Sequence, residues 1–429
     1  MHPTIEFLID DFHERDLPRV VLREQSAPVM AGKATVVVGM RRSGKTWFCY
    51  QRMQELMASG VGKERQVYIN FEDERLQPFN SSDLQDILGA YYRKYPDFKK
   101  QRCLLFLDEV HTVPGWDRFV RRVLDTENIE VWVTGSSSKL LSTEIATSLR
   151  GRSLTAEIFP FSFREFLRFH ERLPVSLTRF GSRQRAELQH DAGQYLSVGG
   201  FPEVQLVEEE MRRRVHRDYL DVVILRDVAE RHRVSNIAAL RALIRHMLAS
   251  PAARFSVTRF YANLKQQGIA CSKNDLYLFL EYLQDAFLVY LVPIYSRSEK
   301  ARQVNPKKLY MVDTGLIHAA SFQMTGDRGA LLENMVFLHL RRQGITPAYY
   351  VTSSGKEVDF VVSQGQDIEL IQTCWTLRPP ATREREESAL VEAMKELGAK
   401  QAKIITWLDE STAAGGIEVL PAWRWLLAE

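Results

Sequence analysis

Between residues 34 and about 160, short β-branched runs recur: ATVVVG, QVYINF, CLLFLDE, VWVTGS and LTAEIF, with helical stretches between them. That alternation predicts a parallel sheet wrapped by helices. From Phe161 to about Ala249 the period lengthens, as in SFREFLRFH and HRDYLDVVILRDVAERH, and a helical region is expected. Over roughly 238–316, the runs IAALRALIRHML, SVTRFYANLKQQ and SKNDLYLFLEYLQDA precede two strand-like runs, FLVYLVPIYS and KKLYMVDTG, separated by the charged stretch RSEKARQVNP. Three helices followed by a hairpin with a polar wing read as a winged helix-turn-helix. After Gly329 come a helix (ALLENMVFLHLRRQG), strands (YYVTS, EVDFVVS, IELIQTCW), a charged helix (TREREESALVEAMKELG) and a last strand (KIITWL). The fold class is α/β, divided as 1–160, a P-loop-type core; 161–237, a helical lid or linker; 238–328, the winged helix; and 329–429, a further α/β domain. No solenoid-type repeat is found.

Composition bounds this picture without changing it. With 429 residues, 45% hydrophobic and 26% charged, the chain exceeds one ordinary core and reads as globular. The net charge of +3, from 57 basic against 54 acidic residues, names no partner, so only local basic clusters argue for nucleic acid. The four cysteines, Cys49, Cys103, Cys271 and Cys374, form no C-x-x-C pair, against a zinc site or a disulfide framework. The first residues lack the marks of a secretory signal and no apolar run reaches membrane-spanning length, so a cytoplasmic location without membrane contact is expected.

The chemistry concentrates after the first strand. GMRRSGKT fits G-x-x-x-x-G-K-[ST] and stands between the strand ATVVV and the helix KTWFCYQRMQEL, the context the motif requires. Gly39, Arg41, Arg42, Ser43, Gly44, Lys45, Thr46 and Trp47 are therefore the candidate ATP-binding residues. Backbone N–H groups would face the phosphates, Lys45 would reach the β and γ phosphates, and Thr46 would ligate Mg2+. The apolar run Leu104 to Leu107 ends in Asp108 and Glu109, a Walker B pattern. Asp108 would hold the metal and Glu109 would orient or deprotonate the attacking water. After VWVTGSSSK a hydroxyl, with Ser136 the choice, is a candidate sensor, a simple turn being the alternative. Arg150 and Arg152 precede the fifth strand; in an assembled ring Arg152, or else Arg150, would enter the neighbour's ATP site, and a solvated basic turn is the plainer reading.

The ordered set GMRRSGKT, YINFEDERL, LLFLDEVHTVPGWDRFVRRVLD, VTGSSSKLLSTEIATSLRGRSLTAEIFPFSFREFL, GGFPEV and YLDVVILRDVAER resembles the bacterial and archaeal ATPases of the AAA superfamily that carry a C-terminal domain of unknown function. The resemblance implies an AAA fold, then a winged helix, then a domain similar to PD-(D/E)XK nucleases. His111 stands where such relatives often have glutamine, with no functional consequence attached.

A nuclease site of that kind needs acids for the metal and a lysine beside the second acid. Glu333 and Asp359 fit the first acids, whereas Gln372 and Cys374 occupy the places of the second acid and the lysine, and Glu369 lies off register. A nuclease-like domain without cleavage activity is expected. Arg254, Arg259, Lys265 and Lys273 on the helix-turn-helix, with Arg297, Lys300, Arg302, Lys307 and Lys308 on the wing, are candidate phosphate contacts, a lid or protein-contact role being the alternative. The leading expectation is an ATP-hydrolysing protein whose nucleotide state controls DNA engagement. It would act as a homo-oligomer, a hexameric ring or else a monomeric or dimeric switch. A nucleotide-dependent signalling or defence switch with a protein partner, and an ATP-gated nuclease, are the alternatives.

Overall fold

A computed structural model describes residues 4–135, 149–320, 327–365 and 367–428. The chain forms two compact units, Met1–Phe159 with Asp285–Phe287, and Pro160–Gln284 with Leu288–Glu429.

The first unit is built on five strands, β1 (Ala34–Val38), β2 (Gln66–Asn70), β3 (Cys103–Asp108), β4 (Ile129–Thr134) and β5 (Ser153–Glu157). They pair in the order β2-β3-β4-β1-β5, all parallel. Every residue of β1, β3 and β4 is buried, as strands covered on both faces require. Phe12, Val37, Phe48, Met53, Tyr68, Phe106 and Trp132 share one core. Because β4 lies between β1 and β3, the loops leaving the carboxyl ends of all three strands meet at one edge, the usual ligand crevice of such sheets.

The second unit opens with the helix Phe163–Phe169, started by a capping box between Ser162 and Glu165. The helix Glu209–Val222 continues as a π-helix over Val223–Glu230. Helices Ile237–Ala249, Val257–Gln266 and Lys273–Asp285 accompany a small antiparallel sheet of β6 (Arg254–Phe255), β7 (Val289–Val292) and β8 (Lys307–Met311), ordered β6-β8-β7. The stretch expected as a polar wing holds a short helix, Glu299–Val304, whose start is capped by the Ser298 hydroxyl accepting from Ala301 N. Beyond it lie helices Thr314–Ala320 and Arg328–Arg342. The six strands β9 (Ala348–Val351), β10 (Glu357–Gln364), β11 (Asp367–Cys374), β12 (Gln401–Thr406), β13 (Ser411–Thr412) and β14 (Glu418–Pro421) follow. Their order is β13-β14-β12-β11-β10-β9, and the helix Pro380–Leu397 makes the crossover between parallel β11 and β12. The protein is thus α/β, with a parallel N-terminal sheet and a separate mixed sheet.

Two sequence motifs of the second unit meet at a buried aspartate. Asp313, 2% exposed, accepts from Gly200 N at 2.6 Å through Oδ2 and from Gly315 N at 2.8 Å through Oδ1. A Cβ on Gly199 would stand 2.0 Å from Asp313 Oδ1, and one on Gly200 would stand 2.3 Å from Phe161 O. GGFPEV needs both glycines because backbone and carboxylate approach more closely than any side chain allows. Arg342 Nη2 donates to Pro160 O at 3.0 Å and Phe161 O at 3.1 Å on the same node.

Burial pushes Asp313 up to about 6, against its backbone donors and the charge of Arg342. A carboxyl whose folded value is raised favours folding fully below its unfolded value, and that contribution is lost as pH rises through the folded one. The stability advantage of wild type over Asp313→Asn should therefore be greatest near pH 4 and shrink, by at most about 3 kcal/mol, as pH passes about 6. Urea unfolding of both proteins across that range checks this; a difference independent of pH would assign the effect to lost hydrogen bonds alone.

Candidate nucleotide site

The loop from β1 into the helix Lys45–Ala58 is shaped by backbone rather than by side chains. Gly39 has φ 143° and Gly44 φ 100°, both in the region that favours glycine. A Cβ on Gly39 would stand 2.2 Å from Ile158 O, so the loop lies directly on the chain leaving β5. Lys45, 6% exposed, donates to Gly39 O at 3.1 Å and Met40 O at 3.2 Å, which folds its ammonium over the loop. Ser43 Oγ is buried and finds no hydrogen-bond partner among the described residues. A loop of free curvature, a helix start, a lysine and an unsatisfied hydroxyl are the features a phosphate chain requires, and these residues fit a nucleotide.

Thr46 and the end of β3 meet beneath that loop. Asp108 Oδ2 accepts from Thr46 Oγ1 at 2.8 Å and from Tyr68 OH at 2.8 Å, and its Oδ1 accepts from Thr134 Oγ1. Burial raises the Asp108 carboxyl above its ordinary value, opposed by the hydroxyl of Thr134 and then, after the adverse charge of Glu109, by those of Tyr68 and Thr46. A hydroxyl and a carboxylate in hydrogen-bond contact form an oxygen pair suited to a hard divalent ion. Glu109 N donates to Thr134 Oγ1 at 3.0 Å, and Glu109 sits at φ 54°, a conformation uncommon outside glycine. Its Oε2 lies 3.2 Å from His111 Nδ1.

The structure brings Gly39, Ser43, Gly44, Lys45, Thr46, Asp108 and Glu109 to this edge of the sheet. Arg41 is turned to Glu72 at 3.5 Å, Arg42 is exposed at φ 70°, and Trp47, 53% exposed, packs edge-on to Tyr50. Ser136, the candidate sensor, lies outside the described residues. Arg152 is half-exposed and paired with Asp125, and Arg150 is exposed at φ 49°.

Sequence reasoning missed two supports. Tyr68 reaches Asp108 from the next strand. Arg23, 8% exposed, braces the site with Nη2 toward Ser43 O at 3.4 Å and onto Phe159 O, while its backbone N donates to Gln51 Oε1 at 2.7 Å. No local motif announces either residue.

In the second unit, Asp359 sits where the β9–β10 register shifts between Val358 and Val361, a bulge that re-aims a side chain. Gln372 is buried, accepts from Asp359 N at 3.2 Å and donates to Glu386 at 2.8 Å. Cys374 Sγ donates to Thr376 O at 3.1 Å, and burial pushes the thiol up to about 11. Glu369 is engaged by Lys403 at 2.7 Å. Arg259, Lys265, Lys273, Arg297, Lys300 and Arg302 are exposed, Arg302 against Glu299 and Lys273 over the Tyr261 ring. One expectation fails: Lys308, read as a wing residue for phosphate, is 2% exposed and enclosed by carboxylates. It lies within β8, the central strand of its sheet, every residue of which after the exposed Lys307 is buried. Arg254, also read toward phosphate, is engaged by Glu357.

Comparison with known proteins agrees with the first unit's geometry. Residues 31–167 match the family described as an AAA domain; residues 189–327 and 328–425 match two domains of unknown function, DUF8612 and DUF4143. An uncharacterised protein of Methanocaldococcus jannaschii is 36% identical, covering 98% of this chain and 94% of its own. One from Haemophilus influenzae is 28% identical over 91% and 94%. The solved ORC1 protein of Aeropyrum pernix in complex with DNA overlaps 71% of this chain and 86% of its own at TM-score 0.28 and 14% identity, a level from which no function follows. Among the described residues no helix is long and apolar enough to cross a membrane.

Lys45→Ala should remove most ATP affinity, because the loop then lacks the ammonium now held over its carbonyls. Calorimetric titration checks this, and unchanged affinity would move the nucleotide elsewhere.

Proposed function

This chain belongs to the family of the Methanocaldococcus jannaschii protein and, through residues 31–167, to the AAA superfamily; from that premise we propose that it binds and hydrolyses ATP and that nucleotide state controls its engagement of DNA. The observation that carries the hydrolytic part is the convergence of Thr46, Tyr68 and Thr134 on Asp108, with Glu109 next in the chain.

Lys45 and the loop N–H groups bind the phosphates, and Thr46 with Asp108 would hold magnesium, which supplies charge neutralisation there. Glu109 orients the water and takes its proton. Its backbone, fixed through Thr134, and its carboxylate, beside His111, hold the base at a set position. In an oligomer, Arg152 leaves Asp125 to meet a neighbour's nucleotide, Arg150 being the other choice, with Ser136 as sensor.

The DNA part is supported by exposed cations on three neighbouring segments in sequence: Arg259 and Lys265, Lys273, and Arg297 with Lys300 and Arg302. The helix–sheet order around β6, β7 and β8 supports a winged helix, and the exchange of acid and lysine for Gln372 and Cys374 supports a nuclease-like domain that does not cut. A second reading, a nucleotide-dependent switch with a protein partner, draws on Tyr277 and Leu278, apolar and exposed on the helix Lys273–Asp285.

Glu109→Gln should keep ATP affinity and slow hydrolysis by about a hundredfold or more, since the acid acts on the water rather than on the bound phosphates. Wild-type turnover in a phosphate-release assay would reassign the base. In gel shifts with double-stranded, forked and four-way DNA at low salt, binding should depend on nucleotide and weaken when Lys265 and Lys273 are replaced by Ala. No binding with or without ATP would favour the protein-partner reading.

A further inference from the structure

The acidic cluster of the second unit already contains a cation. Lys308 Nζ lies 2.6 Å from Glu333 Oε1, 2.7 Å from Glu357 Oε1 and 2.9 Å from Asp359 Oδ1. Two of the ammonium's three N–H donors go to Glu333 and Asp359, and Glu357 adds an ion pair. The three acids come from different places: Glu333 from the helix Arg328–Arg342, Glu357 and Asp359 from β10. Lys308 comes from β8, where Tyr310, two residues on, shares its face and donates to Glu333 Oε1 at 2.6 Å.

The second oxygens of Asp359 and Glu357 are also engaged. Asp359 Oδ2 accepts from Thr373 N at 2.9 Å and Thr373 Oγ1 at 2.8 Å, and Arg254 engages Glu357 Oε2. Three carboxylates face two cations, so one negative charge is in surplus. Burial and the charge of Asp359 push Glu333 up to about 8, against the pull of Lys308. Burial alone would discharge Lys308, but Asp359, Tyr310, Glu333 and Glu357 hold it charged.

We propose that Lys308 is the resident cation of this cluster, filling the point on which Glu333, Glu357 and Asp359 converge, so that the wild-type chain takes up no divalent ion there and a latent cation site opens when the lysine is removed. Oxygen ligands gathered from a helix and a strand are what Mg2+ or Mn2+ demands. With the ammonium in place, a metal entering the same point would meet a like charge at bonding distance. One side chain thus ties β8, the helix Arg328–Arg342 and β10 together through its contacts with all three acids.

The probe is Mn2+, followed by electron paramagnetic resonance and by thermal unfolding of the full chain without nucleotide. Lys308→Met keeps the stem and removes the charge. It should unfold at lower temperature than wild type, take up one more Mn2+ per chain, and recover stability as Mn2+ is added. Lys308→Met combined with Asp359→Asn should lose that uptake. A Lys308→Met protein that folds and binds no additional Mn2+ would overturn the proposal. So would wild-type protein whose Mn2+ uptake falls on Glu357→Gln, since the ion would then share the site with Lys308. If Lys308→Met does not fold with or without Mn2+, that wild-type comparison decides: equal uptake by wild type and Glu357→Gln supports the resident lysine, and a loss overturns it.

Discussion

A carboxylate removed from water must be surrounded by donors or lose its charge, and three aspartates near strand ends impose that constraint on this protein. Asp108, Asp313 and Asp359 are 2%, 2% and 6% exposed. Each is satisfied by a different kind of donor. Asp108 is held by three hydroxyls. Asp313 is held by backbone N–H groups fixed in place by glycine geometry, and Asp359 by an ammonium, a hydroxyl and a backbone N–H. The donor type separates Asp108, held by side-chain hydroxyls, from two aspartates to which backbone N–H groups also donate.

The nucleotide loop was legible in the sequence because its chemistry is local. Consecutive residues form it, and their glycines and lysine are needed at fixed spacing whatever the rest of the chain does. The same holds for Asp108 and Glu109 at the end of an apolar run. Tyr68 and Arg23 belong to the same site but arrive from a neighbouring strand and an N-terminal segment. Only the order β2-β3-β4-β1-β5 brings them in, and that order is a property of the whole sheet.

In the second unit, periodicity is legible in the sequence and side-chain direction is not. RSEKARQVNP reads as a charged connection, yet Ser298 opens a short helix within it, a signal available in the residue type but masked by the flanking charges. Lys307 and Lys308 were treated alike. Lys307 is exposed at the start of β8 and Lys308 is buried beside it, and the acids that accept from Lys308 lie 25 and 51 residues further on. The glycines of GGFPEV were visible as a motif, while their reason, contact with Asp313 and Phe161, required the fold.

The position of Lys308 also bears on where this chain can be divided. It lies in the segment matched to DUF8612, whereas Glu333, Glu357 and Asp359 lie in the segment matched to DUF4143. A boundary drawn from sequence families therefore runs through a single electrostatic unit. A fragment starting at residue 328 inherits three converging acids and none of the charge that Lys308 and Arg254 bring to them. Insolubility of such a fragment, or an affinity for divalent ions, would be a property of the cut rather than of the protein.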